Sequence, residues 1–378
     1  MRVAIVGAGL SGLACAFRLE QQGFQGTVDI YEKKSGVGHA NIFLEFISEL
    51  FHRPIDDLFV HLASEYKLYL LPHQTIYNSQ SFGPTKSTIY EGYIGHVVVR
   101  GNHENSLEKQ LAKNIKTPIK FNQAVDINEI KKQYDMVVAA TGRLQDVPQA
   151  LGARIDRYVE FYHGLIKGSF DDRMTKVWFN NKYASKGYAF QLTLDESTAM
   201  VSVASPDEQF NLAKGWSTFI EEVFGSEAEL TELHHIKNFA IGRPNRYSFE
   251  NLLFVGNVGG GVTPAMGFGL HNAILSGIYA ADSILKHEDY EAKMRHLDQE
   301  YNWSLTLRNA LEQMDDQHYD VLVDGIDSIL GRVVLKKGGI NINRLAGRVL
   351  SIITHEKNKS KYPKTPKEYQ GDILFKQH

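Results

Sequence analysis

Hydrophobic residues in the first third of the chain fall into short blocks cut by glycine. Residues 2–6 (RVAIV) form an apolar run after Arg2, the segment GAGLSG follows, and 27–32 (TVDIYE) is a second run ending on an acid. This order predicts a buried strand, a turn, a helix over 10–22 and a second strand at 27–32, which together make a βαβ unit. Leu, Phe and Ile recur at helical spacing through 43–70. Residues 89–99 (IYEGYIGHVVV) predict a strand, 105–114 (NSLEKQLAKN) a helix capped by Asn105 or Ser106, and 134–140 (YDMVVAA) a strand ending at Thr141-Gly142. From about 155 to 240 the pattern alternates, with strands expected at 158–168, 175–180, 187–194 and 198–204. A strand at 252–255, a glycine-rich turn and a helix over 267–286 then repeat the style of the N-terminus. The remainder reads as mostly helical, and its end (KNKSKYPKTPKEYQ) as polar, lysine-rich and loose.

The return at 252–286 makes the first unit discontinuous. The expected organisation is α/β: a three-layer Rossmann-type nucleotide-binding domain over 1–155 and 245–290, an inserted antiparallel β-sheet substrate domain over 156–244, and a helical C-terminal region over 291–378. A length of 378 residues suits two units that share a cleft. With 43% hydrophobic residues, 22% charged residues and a formal net charge of −3, composition gives no electrostatic case for nucleic acid. One cysteine, Cys15, excludes an internal disulfide and a CxxC site, and fits a reducing cytoplasm. The N-terminal run reads as strand, turn and helix, not as a secretion signal. The stretch 251–281 lacks Asp, Glu, Lys and Arg, but its glycines, Asn257 and Pro264 predict a loop and helix instead of a membrane span.

In GAGLSG, Gly7 permits a tight turn, Gly9 lets backbone approach a pyrophosphate, and Gly12 lets helix and strand pack closely. The helix start, at Leu10 and Ser11, then presents its positive end to phosphates. Glu32, 20 residues beyond Gly12, stands where a carboxylate accepts ribose hydroxyls, with Lys33 beside it. The unit by itself serves FAD and NAD equally. No second G-x-G-x-x-G with its own acid follows, so a separate NAD(P)H domain is not expected.

The segment 253–272, LFVGNVGGGVTPAMGFGLHN, resembles the second FAD motif of the geranylgeranyl reductase and aromatic hydroxylase superfamily. Gly256, Pro264, Gly267, Gly269 and Ala273 fall at matching positions, and Asn257 replaces the family Asp. The resemblance implies FAD as cofactor, with Phe268 and this turn near the ribityl chain and isoalloxazine. It places Arg100 along the FAD phosphates, Val125 near adenine, and Thr141 (for a family Asp) and Gly142 at the flavin. Residues 187–204 resemble the reductase segment, with Gly187 and Tyr188 matching and Phe190 standing where the reductases have Trp. Tyr188 and Phe190 share a strand face and are the expected substrate wall.

The resemblance implies an FAD-dependent oxidoreductase that reduces a C=C bond of an isoprenoid or other apolar substrate. Its alternatives are a flavin monooxygenase or halogenase-like enzyme and a flavin-binding redox sensor without turnover. The electron donor is open between NAD(P)H binding transiently, ferredoxin and another flavin. No residue stands out as a catalytic acid. His39, His271 and the pair His234-His235 show no metal-ligand spacing, and no metal is expected; His271, two residues past Gly269, fits a helix-packing role first and an approach to the isoalloxazine second. The apolar segments ILGRVVL and LAGRVLSII, interleaved with Arg332, Lys336, Lys337, Arg344 and Arg348, fit a solvated helical cap over the domain or, as the alternative, a contact with an anionic membrane surface.

Overall fold

A computed structural model describes residues 1–38, 42–327, 341–345, 367 and 370–376. Strands β1 (Arg2–Val6), β2 (Thr27–Tyr31), β6 (Ile119–Lys120), β7 (Met136–Ala139), β13 (Ser248–Phe249) and β14 (Leu252–Phe254) form one sheet, ordered β13-β14-β7-β1-β2-β6. All its pairs are parallel except β13 with β14. Strands β3 (Phe43–Ser48), β4 (Gln74–Phe82), β5 (Ser87–Arg100), β8 (Ala153–Lys167), β9 (Met174–Trp178), β10 (Tyr188–Asp195), β11 (Thr198–Ser205), β12 (Leu230–Pro244) and β15 (Gln370–Lys376) form a second. Its order is β15-β12-β8-β11-β10-β9-β4-β5-β3, antiparallel apart from β4 with β9. The helices are α1 (Leu10–Gln21), α2 (Leu58–Tyr66), α3 (Leu107–Lys113), α4 (Ile127–Ile130), α5 (Leu212–Phe224), α6 (Leu270–Lys286), α7 (Tyr290–Leu311) and α8 (Asp316–Asp327).

The first strand explains why its sequence is apolar throughout. Val3 and Ile5 pack with α1 and α6 on one face, while Ala4 and Val6 pack with Val137, Ala139, Ile155 and Phe254 on the other. A strand covered on both faces has no polar side to show. At its end Gly7 adopts φ +113°, where a Cβ would lie 2.3 Å from the Ala140 carbonyl oxygen. A Cβ on Gly12 would lie 2.0 Å from the Gly7 oxygen, so the third glycine serves helix-to-strand contact.

Helices α1 and α6 join the two separated halves of this unit. A Cβ at Gly277 would come within 2.1 Å of the Ser11 carbonyl oxygen, so the helices meet backbone to side-chain-free backbone. Arg18 and Asp282 extend the contact with a half-buried ion pair at 2.8 Å.

In the second sheet, the first half of β8 (Ala153, Ile155, Tyr158) packs beneath the parallel sheet, and its second half (Tyr162, Ile166) packs with Trp216 and Phe219 of α5. The sheet therefore reaches from the nucleotide unit outward. Residues 43–70 differ from the helical expectation: they form β3, a 3-10 turn at Glu49–Phe51 and only then α2. Phe and Ile favour a pleated surface, and pairing with β5 from Phe43↔Arg100 to Ser48↔Gly95 overrides the helical spacing. Sequence reasoning also missed β4, α5 and β15; the last pairs with β12 from Lys237↔Gln370 to Glu232↔Lys376. His39, ILGRVVL, most of LAGRVLSII with Arg332, Lys336, Lys337 and Arg348, and most of the lysine-rich end lie outside the described residues. No helix among the described residues is long and apolar enough to cross a membrane.

Two glycine substitutions test the helix contact. Gly277→Ala inserts a methyl against the Ser11 carbonyl and is expected to lower stability by about 1–3 kcal/mol. Gly325→Ala in α8, where a Cβ meets nothing within 4 Å, is expected to be neutral or to stabilise by up to about 1 kcal/mol. Thermal unfolding of both checks this, and equal effects would show that α1 and α6 do not depend on close approach.

Candidate functional site

A single cavity of about 1560 Å³ runs from the glycine turn to the inner face of the second sheet. Gly7, Gly9, Leu10, Ser11, Glu32, Lys33, Arg100, Val125, Thr141, Gly142, Gly256, Asn257, Pro264, Gly267, Phe268 and Gly269 all line it. Gly12 does not, in keeping with its packing contact.

At one end the β1–α1 turn fixes Glu32. Its carboxylate accepts the Ala8 N–H at 2.9 Å and the Lys34 N–H at 2.9 Å, so its orientation is set by backbone. Each carboxylate oxygen retains a lone pair for a further donor. A Cβ on Gly9 would meet no protein atom within 4 Å, so that backbone faces open cavity. Gly9 also caps α1 with no side-chain hydrogen bond, leaving the first N–H groups of the helix toward the cavity.

The middle of the cavity is made by the segment 256–269. Gly256 has φ +63° and donates its N–H to Ser276 Oγ at 2.9 Å, and Gly267 has φ +71°. This loop is held from behind by α7. Ser304 Oγ accepts the Ala265 N–H at 2.9 Å, and Arg308, itself buried, donates to the Ala265 carbonyl at 3.3 Å and to Glu312 at 3.0 Å.

Arg100 reaches the cavity from the end of β5, but its guanidinium is engaged by two carboxylates, Glu108 Oε1 and Glu45 Oε2, each at 2.6 Å. Burial works against its charge, yet the two acids hold the proton more firmly than usual. Glu45 Oε1 also accepts the Leu270 N–H at 3.1 Å, at the start of α6. Neither acid carried a motif. The one legible hint was a lone glutamate in the apolar run FLEFIS.

The far end is apolar and aromatic. Tyr188 and Phe190 lie on one face of β10 with ring centroids 5.9 Å apart, and both line the cavity with Leu192. Tyr188 donates its hydroxyl to the Met266 carbonyl at 2.5 Å, which joins the strand to the glycine loop. Burial pushes that hydroxyl up to about 12. Phe268 meets Phe46 and Phe51 edge to face, at 6.2 and 5.3 Å. His163 is the polar exception that sequence reasoning missed. It stacks on His234 at 4.7 Å, its Nδ1 has no hydrogen-bond partner, and burial followed by His234 pushes it down to about 3. His271 does not line the cavity; it is buried behind it against His52.

Comparison with known proteins bears on this arrangement. Residues 5–42 match the model of the NAD(P)-binding Rossmann-like domain. The digeranylgeranylglycerophospholipid reductase of Methanocaldococcus jannaschii is 26% identical over 184 residues, or 44% of this chain and 46% of the reductase. The match thus spans about half the length of that relative. A geranylgeranyl bacteriochlorophyll reductase-like structure from Thermoplasma acidophilum superposes with a TM-score of 0.67 at 18% identity, covering 92% of this chain and 95% of that one. The chain has the fold of the flavin-dependent oxidoreductases. A flavin-dependent brominase shares that fold with a TM-score of 0.66 at 13% identity, over 93% and 98% of the two chains. The flavoprotein fold therefore includes reductases and halogenating enzymes alike, and it accounts for both the discontinuous parallel unit and the long sheet that roofs its cavity.

Beside the cavity wall formed by Ser48, Leu50 and Phe51, Glu49 is buried with one carboxylate oxygen unpartnered. Burial pushes this carboxyl up to about 8. Between the ordinary carboxylate range and that value the unfolded chain has released its proton and the folded chain has not. Stability is then lost as pH rises through the window, by roughly 1.4 kcal/mol per pH unit. Glu49→Gln removes the proton, so its gain in Tm over the unsubstituted protein is expected to grow from pH 5 to pH 8. Melting curves at several pH values check it, and a gain independent of pH would be inconsistent with a protonated Glu49.

Proposed function

We propose that the cavity holds FAD and that the protein is an FAD-dependent oxidoreductase reducing a C=C bond of an isoprenoid or other apolar substrate. The reading rests on one observation: a dinucleotide-type turn and an aromatic chamber open into the same cavity. The residues present fit the cofactor. Glu32 suits a ribose, the uncapped start of α1 at Gly9 suits a diphosphate, and the cleft beside Gly9 is open where any side chain would intrude. Asn257, in place of an acid, keeps an acceptor oxygen without adding charge.

FAD, when bound, supplies the hydride-transfer chemistry. The chain supplies placement. Glu32 and the α1 backbone hold the nucleotide end, while Thr141, Gly142 and the loop 256–269 shape the space beyond it. Tyr188, Phe190, Leu192 and Phe268 exclude water and bury an apolar chain; each buried CH₂ contributes about 0.8 kcal/mol to its binding. His163, held neutral by burial, offers one polar edge in that wall and orients a substrate's polar group. NAD(P)H, binding transiently, is the proposed electron donor.

The purified protein is expected to carry, or take up, flavin with its visible absorption bands. Gly9→Val fills the cleft beside the diphosphate and is expected to weaken FAD retention at least about 100-fold while leaving the melting curve of the apoprotein near that of the original. After anaerobic reduction, a prenyl alkene is expected to restore the oxidised spectrum. Absence of flavin uptake would remove the central proposal; oxygen incorporation into substrate would replace the reductase reading with a monooxygenase one.

A further inference from the structure

Outside the cavity lining, three elements bring together side chains that the linear spacing keeps apart. His52 follows the 3-10 turn after β3, His271 lies in the first turn of α6, and Glu300 lies midway along α7. The two imidazoles stack with centroids 4.2 Å apart and a 17° angle between their planes, and they are only 4% and 2% exposed. One ligand atom from each of the three residues lies within 4.8 Å of the other two.

The hydrogen-bond inventory points to a ligand. His52 Nδ1, His271 Nε2 and Glu300 Oε2 are all buried without a hydrogen-bond partner. Buried polar atoms are seldom left so, and three at one place call for a common partner. His271 is also prepared for that role: its Nδ1 faces Asn272 Oδ1 at 3.0 Å, which sets Nδ1 as the donor and leaves Nε2 with a free lone pair. Among the described residues the other cluster with such spacing, Glu49, Asp57 and His96, is already closed by a His96–Asp57 bond at 2.9 Å and by Tyr93.

We propose that His52, His271 and Glu300 form a divalent transition-metal site, with Zn²⁺ the ion whose ligand preference fits two imidazoles and one carboxylate. Ligands about 2.0–2.2 Å from a tetrahedral ion stand about 3.3–3.6 Å apart, so binding draws the three ligand atoms together and turns one imidazole out of the stack, bringing both in-plane lone pairs onto the ion. A fourth position is left for water. The ion's role is structural: it ties the segment after β3 to α6 and α7, the helices that frame and back the 256–269 loop. The site is independent of which reaction the cavity performs.

The test uses the full chain, stripped with a chelator, dialysed and titrated with Zn²⁺ alone by calorimetry and by thermal unfolding. One equivalent is expected to bind and to raise Tm, with the rise reversed by chelator. His52→Gln and the near-isosteric Glu300→Gln are each expected to weaken that binding by at least about 100-fold, while His318→Gln, at an exposed position of α8, leaves it unchanged. Circular dichroism and the Tm of each stripped variant establish that it folds. Absence of a Zn²⁺-dependent Tm rise in the unsubstituted chain would overturn the site, as would equal affinity in a folded Glu300→Gln protein.

Discussion

The structure depends on how closely α1 and α6 approach. These helices belong to segments separated by most of the chain, and they lie side by side against one face of the parallel sheet, with the starts of both at the cavity. The absence of a side chain at Gly277 allows the contact, and the Arg18–Asp282 pair fixes it farther along. The ends of both helices then open into the same space. A dinucleotide-type turn at one helix start and a glycine-rich loop before the other become parts of a single site only through this contact.

The second sheet acts as the roof. β8 is long enough to serve both units, with its first half in the core under the parallel sheet and its second half under α5. Strands β3 and β5 return to the nucleotide side and deliver Glu45 and Arg100 to the start of α6. Acid, guanidinium and helix end form one electrostatic unit, in which Glu45 complements the positive end of the helix and Arg100 offsets the acid. Any anionic group that came to the start of α6 would meet Glu45 already there.

The parallel unit was legible because its signals are local. A strand buried on both faces must be apolar throughout, and the turn after it needs glycine where a Cβ would strike Ala140 or Gly7. The resemblance of 253–272 was legible for the same reason, since proline and glycine positions fix a loop. Within 43–70 the helix is found at α2, while 43–48 were misread because β3 owes its form to pairing with β5, a contact that helical periodicity does not record. Glu45, His163 and Arg308 were missed because their roles come from partners distant in sequence, and Glu108 because its partner Arg100 lies across the β5–α3 connection. The cluster of His52, His271 and Glu300 is the extreme case: His271 drew notice only for its place beside the glycine-rich loop, the other two for nothing, and only folding gives the three a common neighbourhood.

The bond from the Tyr188 hydroxyl to the Met266 carbonyl makes the chamber wall and the glycine loop parts of one machine. A molecule that displaces Tyr188 must break a bond to the loop, and a molecule that reshapes the loop must move the ring. Occupancy at one end therefore carries a free-energy consequence at the other, equal in both directions. The chamber and the glycine loop are then two ends of a thermodynamic lever, with Tyr188 as its fulcrum.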